Sequence, residues 1–175
     1  MRRSDPVLVQ RAAHISAWLL LLFLMIPPAG AAHPDRAFYE AFIRGGIAEI
    51  DAANLVLQRS SNAMVKEFAV MMIKDHSSAN ERVKALAASQ RTPLPSSASA
   101  ADRAVQAKLT SLSARIFDQF YIRSQIDAHE KLLDLVSTET TSGKDAQAKA
   151  FAAEILPMVQ SHLKLIRVLL ASEGV

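Results

Sequence analysis

The chain has 175 residues, half of them apolar and 21% charged, with 6% aromatic residues and no cysteine. That length suits one domain with a sizeable core rather than two large ones, and the missing cysteines exclude a disulfide framework, a thiolate zinc site, an iron–sulfur cluster and a cysteine nucleophile. A formal net charge of +3 and a sequence pI of about 9.4 suggest a polyanion partner until the charges are placed along the chain.

Arg2, Arg3 and Arg11 lead into residues 15–26, ISAWLLLLFLMI, which carry no charge. This is the pattern of a secretory signal peptide. A run of twelve uncharged residues falls well short of the roughly 20 apolar ones that cross a bilayer as a helix, and Pro27 and Pro28 follow. Ala29-Gly30-Ala31 offers an A-x-A cleavage site, so residues 1–31 are expected to be removed and 32–175 to form the mature domain. Cleavage after Ala32 is the near alternative, and an uncleaved anchor the other. Export to a periplasm or beyond is the expectation, with no membrane-spanning segment left after cleavage. Removing the leader leaves 17 Lys+Arg against 16 Asp+Glu, or +1. No cluster of basic residues interleaved with aromatics remains, so no nucleic-acid partner is expected.

Along residues 36–60, Phe38, Phe42, Gly46, Glu49 with Ile50, Ala53 and Leu57 recur at steps of three and four, which predicts a helix. Ser60-Ser61-Asn62 supplies a break and a cap for a second helix over 63–89, striped by Phe68, Met72, Asp75 with His76, Ala79, Val83 and Leu86. Pro93 and Pro95 mark the longest loop. A short helix is expected over 102–112, then a third long helix from Ala114 to about Thr140, capped by Ser113, with Ile122, Ile126, His129, Leu133 and Val136 as its seam. After Gly143, a fourth long helix reaches about Ser172 with Phe151, Ile155, Met158, His162, Leu165 and Leu169 inward; Pro157 predicts a kink or bulge there. No stretch alternates at period two. The expected fold is all-α: an up-down-up-down four-helix bundle with a short extra helix between the second and third long helices.

Each long helix also carries a potential metal ligand near its apolar stripe: Glu49, His76 with Asp75, His129 with Asp127, and His162. Counted from the connections, Glu49, His76 and His129 fall at similar heights, while His129 and His162 differ by five residues or about 7.5 Å. These six side chains are therefore expected near the middle of the bundle, where bundles build cofactor sites. The one glutamate and three histidines among them suit a single transition-metal ion such as zinc, copper, iron or manganese, without choosing among these. The competing reading is a hydrogen-bonded network in which Glu49 and the aspartates satisfy the histidines; a pocket for an organic ligand is the third. Residues Ile73, Ile126 and Val159 stand three before the histidines, so the Glu-x-x-His pattern of two-metal carboxylate oxidases is missing. Met71, Met72 and Met158 could serve a soft copper ion, or fill the core. Serine-hydrolase, phosphate-loop and zinc-protease motifs are absent.

Taken together, Gly45-Gly46 with Glu49, Lys74-Asp75-His76-Ser77, Pro93-Leu94-Pro95, the run 117–122 leading to His129, and Leu156-Pro157 with His162 resemble a family of exported bacterial proteins. That family is a domain-of-unknown-function group, often labelled as membrane or outer-membrane proteins. The resemblance spans about residues 38–170 and implies a ferritin-like helical bundle and an exported location, without a reaction. The functional expectation is a non-enzymatic binding or envelope stress-related protein holding one metal ion through Glu49, His76, His129 and His162. The alternatives are a metal-dependent oxidoreductase of ferritin-like type and a scaffold that docks a protein partner.

Overall fold

In the computed structural model, which describes residues 33–172, the chain forms α1 (Arg36–Arg59), α2 (Ala63–Ser89), α3 (Ala100–Ser111), α4 (Ala114–Ser142) and α5 (Ala146–Ser172). No strand occurs among the described residues. The expected signal peptide lies outside them.

The helix starts follow from local chemistry. Asn62 caps α2 by accepting from the backbone N–H groups of Met64 at 2.9 Å and Val65 at 3.3 Å. Ser99 and Asp102 form a reciprocal capping box at the head of α3, two residues earlier than the sequence suggests. Asp145 accepts from Gln147 and Ala148 to start α5. Ser113 precedes α4 but makes no side-chain cap, contrary to expectation. The chain instead turns sharply into α4, with Ala114 at a φ of 49°, and Arg59 binds the carbonyls of Thr110 and Leu112 just before that turn. α5 runs through Pro157 as one helix.

α1 packs along α2 and α4 along α5, contacts between α1 and α4 and between α2 and α5 complete the set, and α3 rests on α1 and α4. At one end, Asp35 accepts from the backbone N–H groups of Lys144 at 3.0 Å and Asp145 at 2.5 Å, tying the α4–α5 turn to the start of α1.

The apolar interior falls into two clusters. One gathers Ala53, Val56, Phe68, Met72, Tyr121 and Ile166; the other gathers Phe38, Phe42, Val83, Val136, Phe151 and Val159. Phe42 and Phe151 meet edge to face at 5.1 Å and 77°, an arrangement worth about 0.5–1.5 kcal/mol beyond area burial. The stripes differ in detail from the sequence expectation. On α4 it is Gln125 that is buried and Ile126 only partly so; on α5, Val159 and Ile166 turn inward while Leu165 is exposed. Met72 belongs to the first cluster and Met158 packs on the second, so the methionines serve separate parts of the core. α5 is long and apolar enough to cross a membrane by length and composition; here its apolar stripe, with His162 on it, is buried inside the fold.

Candidate metal centre

Between the two apolar clusters lies a polar layer. His76 on α2, His129 on α4 and His162 on α5 are each at most 2% exposed. Their ring centroids are 5.5, 5.5 and 5.7 Å apart, and one nitrogen from each lies within 4.8 Å of the other two. Counting from the helix ends explains why His129 and His162 meet after all. His129 stands 13 residues before Ser142 and His162 stands 16 after Ala146, a mismatch of about 4.5 Å rather than 7.5 Å.

Two of the rings, His162 and His129, have their other nitrogen engaged. His162 Nε2 lies 3.0 Å from Asp75 Oδ2, and a carboxylate only accepts, so that nitrogen carries the proton. His129 Nδ1 lies 2.9 Å from the carbonyl oxygen of Gln125 and must donate likewise. The inward atoms, His76 Nε2, His129 Nε2 and His162 Nδ1, are buried without a hydrogen-bond partner. Burial first, then the neighbouring histidines, hold His76 well below its ordinary pKa. Burial also lowers His129 to about 4. At neutral pH both rings are therefore uncharged, and the Nε2 of His129, whose proton sits on Nδ1, is a lone pair. Buried polar atoms normally find partners; with one nitrogen of each ring within 4.8 Å of the other two, the three histidines could hold a metal ion.

Of the six residues expected to gather, the structure brings the three histidines together and places the carboxylates around them. Asp75 orients His162. Glu49 is 6% exposed and lies outside the histidine group. Its side chain hydrogen-bonds Gln125, one helical turn before His129, and burial pushes its pKa up to about 8. The same carboxyl, after burial itself, helps raise Tyr121 far above its ordinary value. Asp127 is exposed and lines a cavity of about 480 Å³ bordered by α1, α3 and α4. Gln125 was not singled out by sequence. An amide on a stripe of isoleucines carries no ligand signal, and only its position between Glu49 and His129 gives it a role.

Gly46 belongs to this layer as well. A Cβ there would sit on the carboxamide of Asn80, 2.7 Å from Nδ2 and 2.8 Å from Cγ, whereas a Cβ on Gly45 would meet nothing. The glycine pair thus has one member required for the close approach of α1 and α2.

A family model described as "Domain of unknown function (DUF4142)" matches residues 25–169. No curated protein matches the chain. Among solved structures, a DUF305 protein from Streptomyces coelicolor is 15% identical, with a TM-score of 0.71 over 83% of this chain and 96% of that one. A DUF305 fragment from Deinococcus radiodurans is also 15% identical, with a TM-score of 0.72 over 82% and 99%. CopM in its Cu(II)-bound form is 18% identical, with a TM-score of 0.69 over 81% and 99%. At these identities the likeness is one of fold.

Proposed function

The chain belongs to the DUF4142 family, and we propose that it is an exported, non-enzymatic metal-binding protein that holds one transition-metal ion between His76, His129 and His162. In this reading residues 1–31 are a cleaved signal peptide, and α1, α2, α4 and α5 form an up-down-up-down four-helix bundle of ferritin-like type, with α3 as an added segment.

The observation that carries the reading is the set of three inward ring nitrogens without partners, two of them on rings whose opposite nitrogens are held by Asp75 and the Gln125 carbonyl. Metal-bound histidines characteristically donate their other N–H to a carboxylate or a backbone carbonyl, which fixes the tautomer and raises ligand basicity. Imidazole donors suit copper, zinc, iron and nickel. Copper is the first ion to test, because CopM, similar in fold, has been solved with Cu(I) and Cu(II). The purely structural network fits less well, since Glu49 and the aspartates leave the inward nitrogens unsatisfied.

The test is elemental analysis of protein recovered from the exported fraction, followed by titration of metal-free protein with Cu(I), Cu(II) and Zn(II). One ion per chain, lost when His76, His129 and His162 are each replaced by Ala, is expected. Metal-free isolated protein together with no stoichiometric binding in titration would end the reading.

A further inference from the structure

The cavity that Asp127 lines has a definite anatomy. His76 and Glu49 are on its inner wall, and the exposed Val105, Asp127 and Lys131 are among its outer lining. His129 and His162 are not on that wall, so His76 is the first of the three histidines that anything in the cavity meets. Glu49 faces the same space with Oε2 buried and without a hydrogen-bond partner.

The roof is α3, attached in an unusual way. Only Leu109 of its twelve residues is buried. The rest of the attachment to α1 is polar: Gln106 to the carbonyl of Asp51 at 3.4 Å, Arg59 to that of Thr110 at 2.6 Å and, just before the helix, Arg44 to the carbonyl of Ser97 at 3.1 Å. A segment held by exposed hydrogen bonds, with little apolar burial, opens at low free-energy cost compared with the core.

We propose that a metal ion reaches the three histidines through this cavity beneath α3, with Glu49 as the carboxylate that takes the ion between the mouth and His76. The proposal rests on the metal-binding reading above. No oxidation state changes along the route. As the cation arrives, the carboxyl of Glu49 gives its proton to water at the mouth; as the cation passes to the ring of His76, the carboxyl takes a proton back from water.

The experiment is stopped-flow loading of the metal-free full domain with Cu(II), and chelator-driven release, for wild type, Glu49→Gln and Val105→Trp. Val105 is 43% exposed on the roof, so an indole there narrows the passage without touching a histidine. Val105→Trp is expected to slow loading and release together by about 10-fold, leaving equilibrium affinity unchanged. Glu49→Gln is expected to slow both rates more than it alters affinity. Wild-type loading rates in both variants would overturn the route, as would a loss of affinity in Glu49→Gln that appears wholly as faster release, the mark of a permanent ligand. If circular dichroism shows Glu49→Gln unfolded, Val105→Trp decides alone. Failure of the wild type to bind Cu(II) removes both proposals; normal binding with unaltered rates removes only this one.

Discussion

His162 and Asp75 are joined at 3.0 Å through the ring's Nε2, and that bond leaves Nδ1, buried and without a hydrogen-bond partner, as the ring's remaining nitrogen. Asp75 is part-exposed while His162 is 2% exposed, so the pair links the surface of α2 to the centre of α5. Its effect on a bound ion is indirect, through ring orientation and basicity. Replacing Asp75 by Ala is expected to weaken copper or zinc affinity by about 10–100-fold, the usual range for such outer partners, with little change in thermal stability of the metal-free protein. Competition titration against a chelator of known affinity measures it.

His129→Leu separates a ligand site from a structural network. In a satisfied network the substitution would destabilise the fold. With His129 Nε2 buried and unpaired, removing the imidazole instead relieves a desolvation penalty of about 1–3 kcal/mol. The expected result is a higher urea midpoint for the metal-free protein together with loss of metal binding. A lower midpoint would count against the ligand assignment.

The metal-free protein should be most stable between about pH 4.5 and 6.5 and lose stability on both sides of that window. His129 falls from 6.5 to about 4 on folding and His76 also falls well below 6.5. Below 6.5 the unfolded chain therefore binds more protons at these two rings, and on their account alone stability drops as pH falls toward 4. Glu49 rises from 4.5 to about 8, so the folded state holds the extra proton and stability drops as pH rises through that window. Each group changes stability by about 1.4 kcal/mol per pH unit where the two states differ in protonation. Glu139 rises likewise, from 4.5 to about 7, through burial first and then the neighbouring Asp35. Between 4.5 and 6.5 the two carboxyls and the two histidines therefore roughly offset one another; above 6.5 both carboxyls lower stability, and from about 7 to about 8 Glu49 does so alone. Denaturant melts across about pH 4–9 should give a plateau that falls away on both sides, and Glu49→Gln should weaken the alkaline fall and make stability rise with pH between 4.5 and 6.5.

The adjacent glycines of α1 should respond in opposite directions to alanine. Gly45→Ala adds a methyl in open space and should stabilise the helix by about 0.5–1 kcal/mol. Gly46→Ala drives a methyl into Asn80, which is 4% exposed and has little room to move. It should cost about 1–3 kcal/mol, as overpacking does. Thermal melts of the two variants side by side decide it.

Much of this was readable from residues. The polar break at Ser60-Ser61-Asn62 and the apolar period after it fix α2 at Ala63–Ser89, as the structure has it. The histidines stood out because a polar ring on an apolar stripe needs a partner. What escaped the sequence were choices between neighbours. A period of 3.6 lets either Gln125 or Ile126 face inward, and only the opposing Glu49 decides in favour of the amide. For the same reason Glu49 looked like a fourth ligand when counted by height alone. Height says nothing about which side of a layer a carboxylate occupies, and its hydrogen bond to Gln125 draws it away from the three rings.

The division of the interior into two apolar clusters has a mechanical consequence. Each cluster closes one end of the molecule, and the layer between them contains atoms that gain nothing from meeting one another in the absence of an ion. An ion held by the three histidines would tie α2, α4 and α5 together between the two apolar clusters. With no cysteine in the chain, that cross-tie would be reversible, and its tension would follow the ambient metal concentration by mass action.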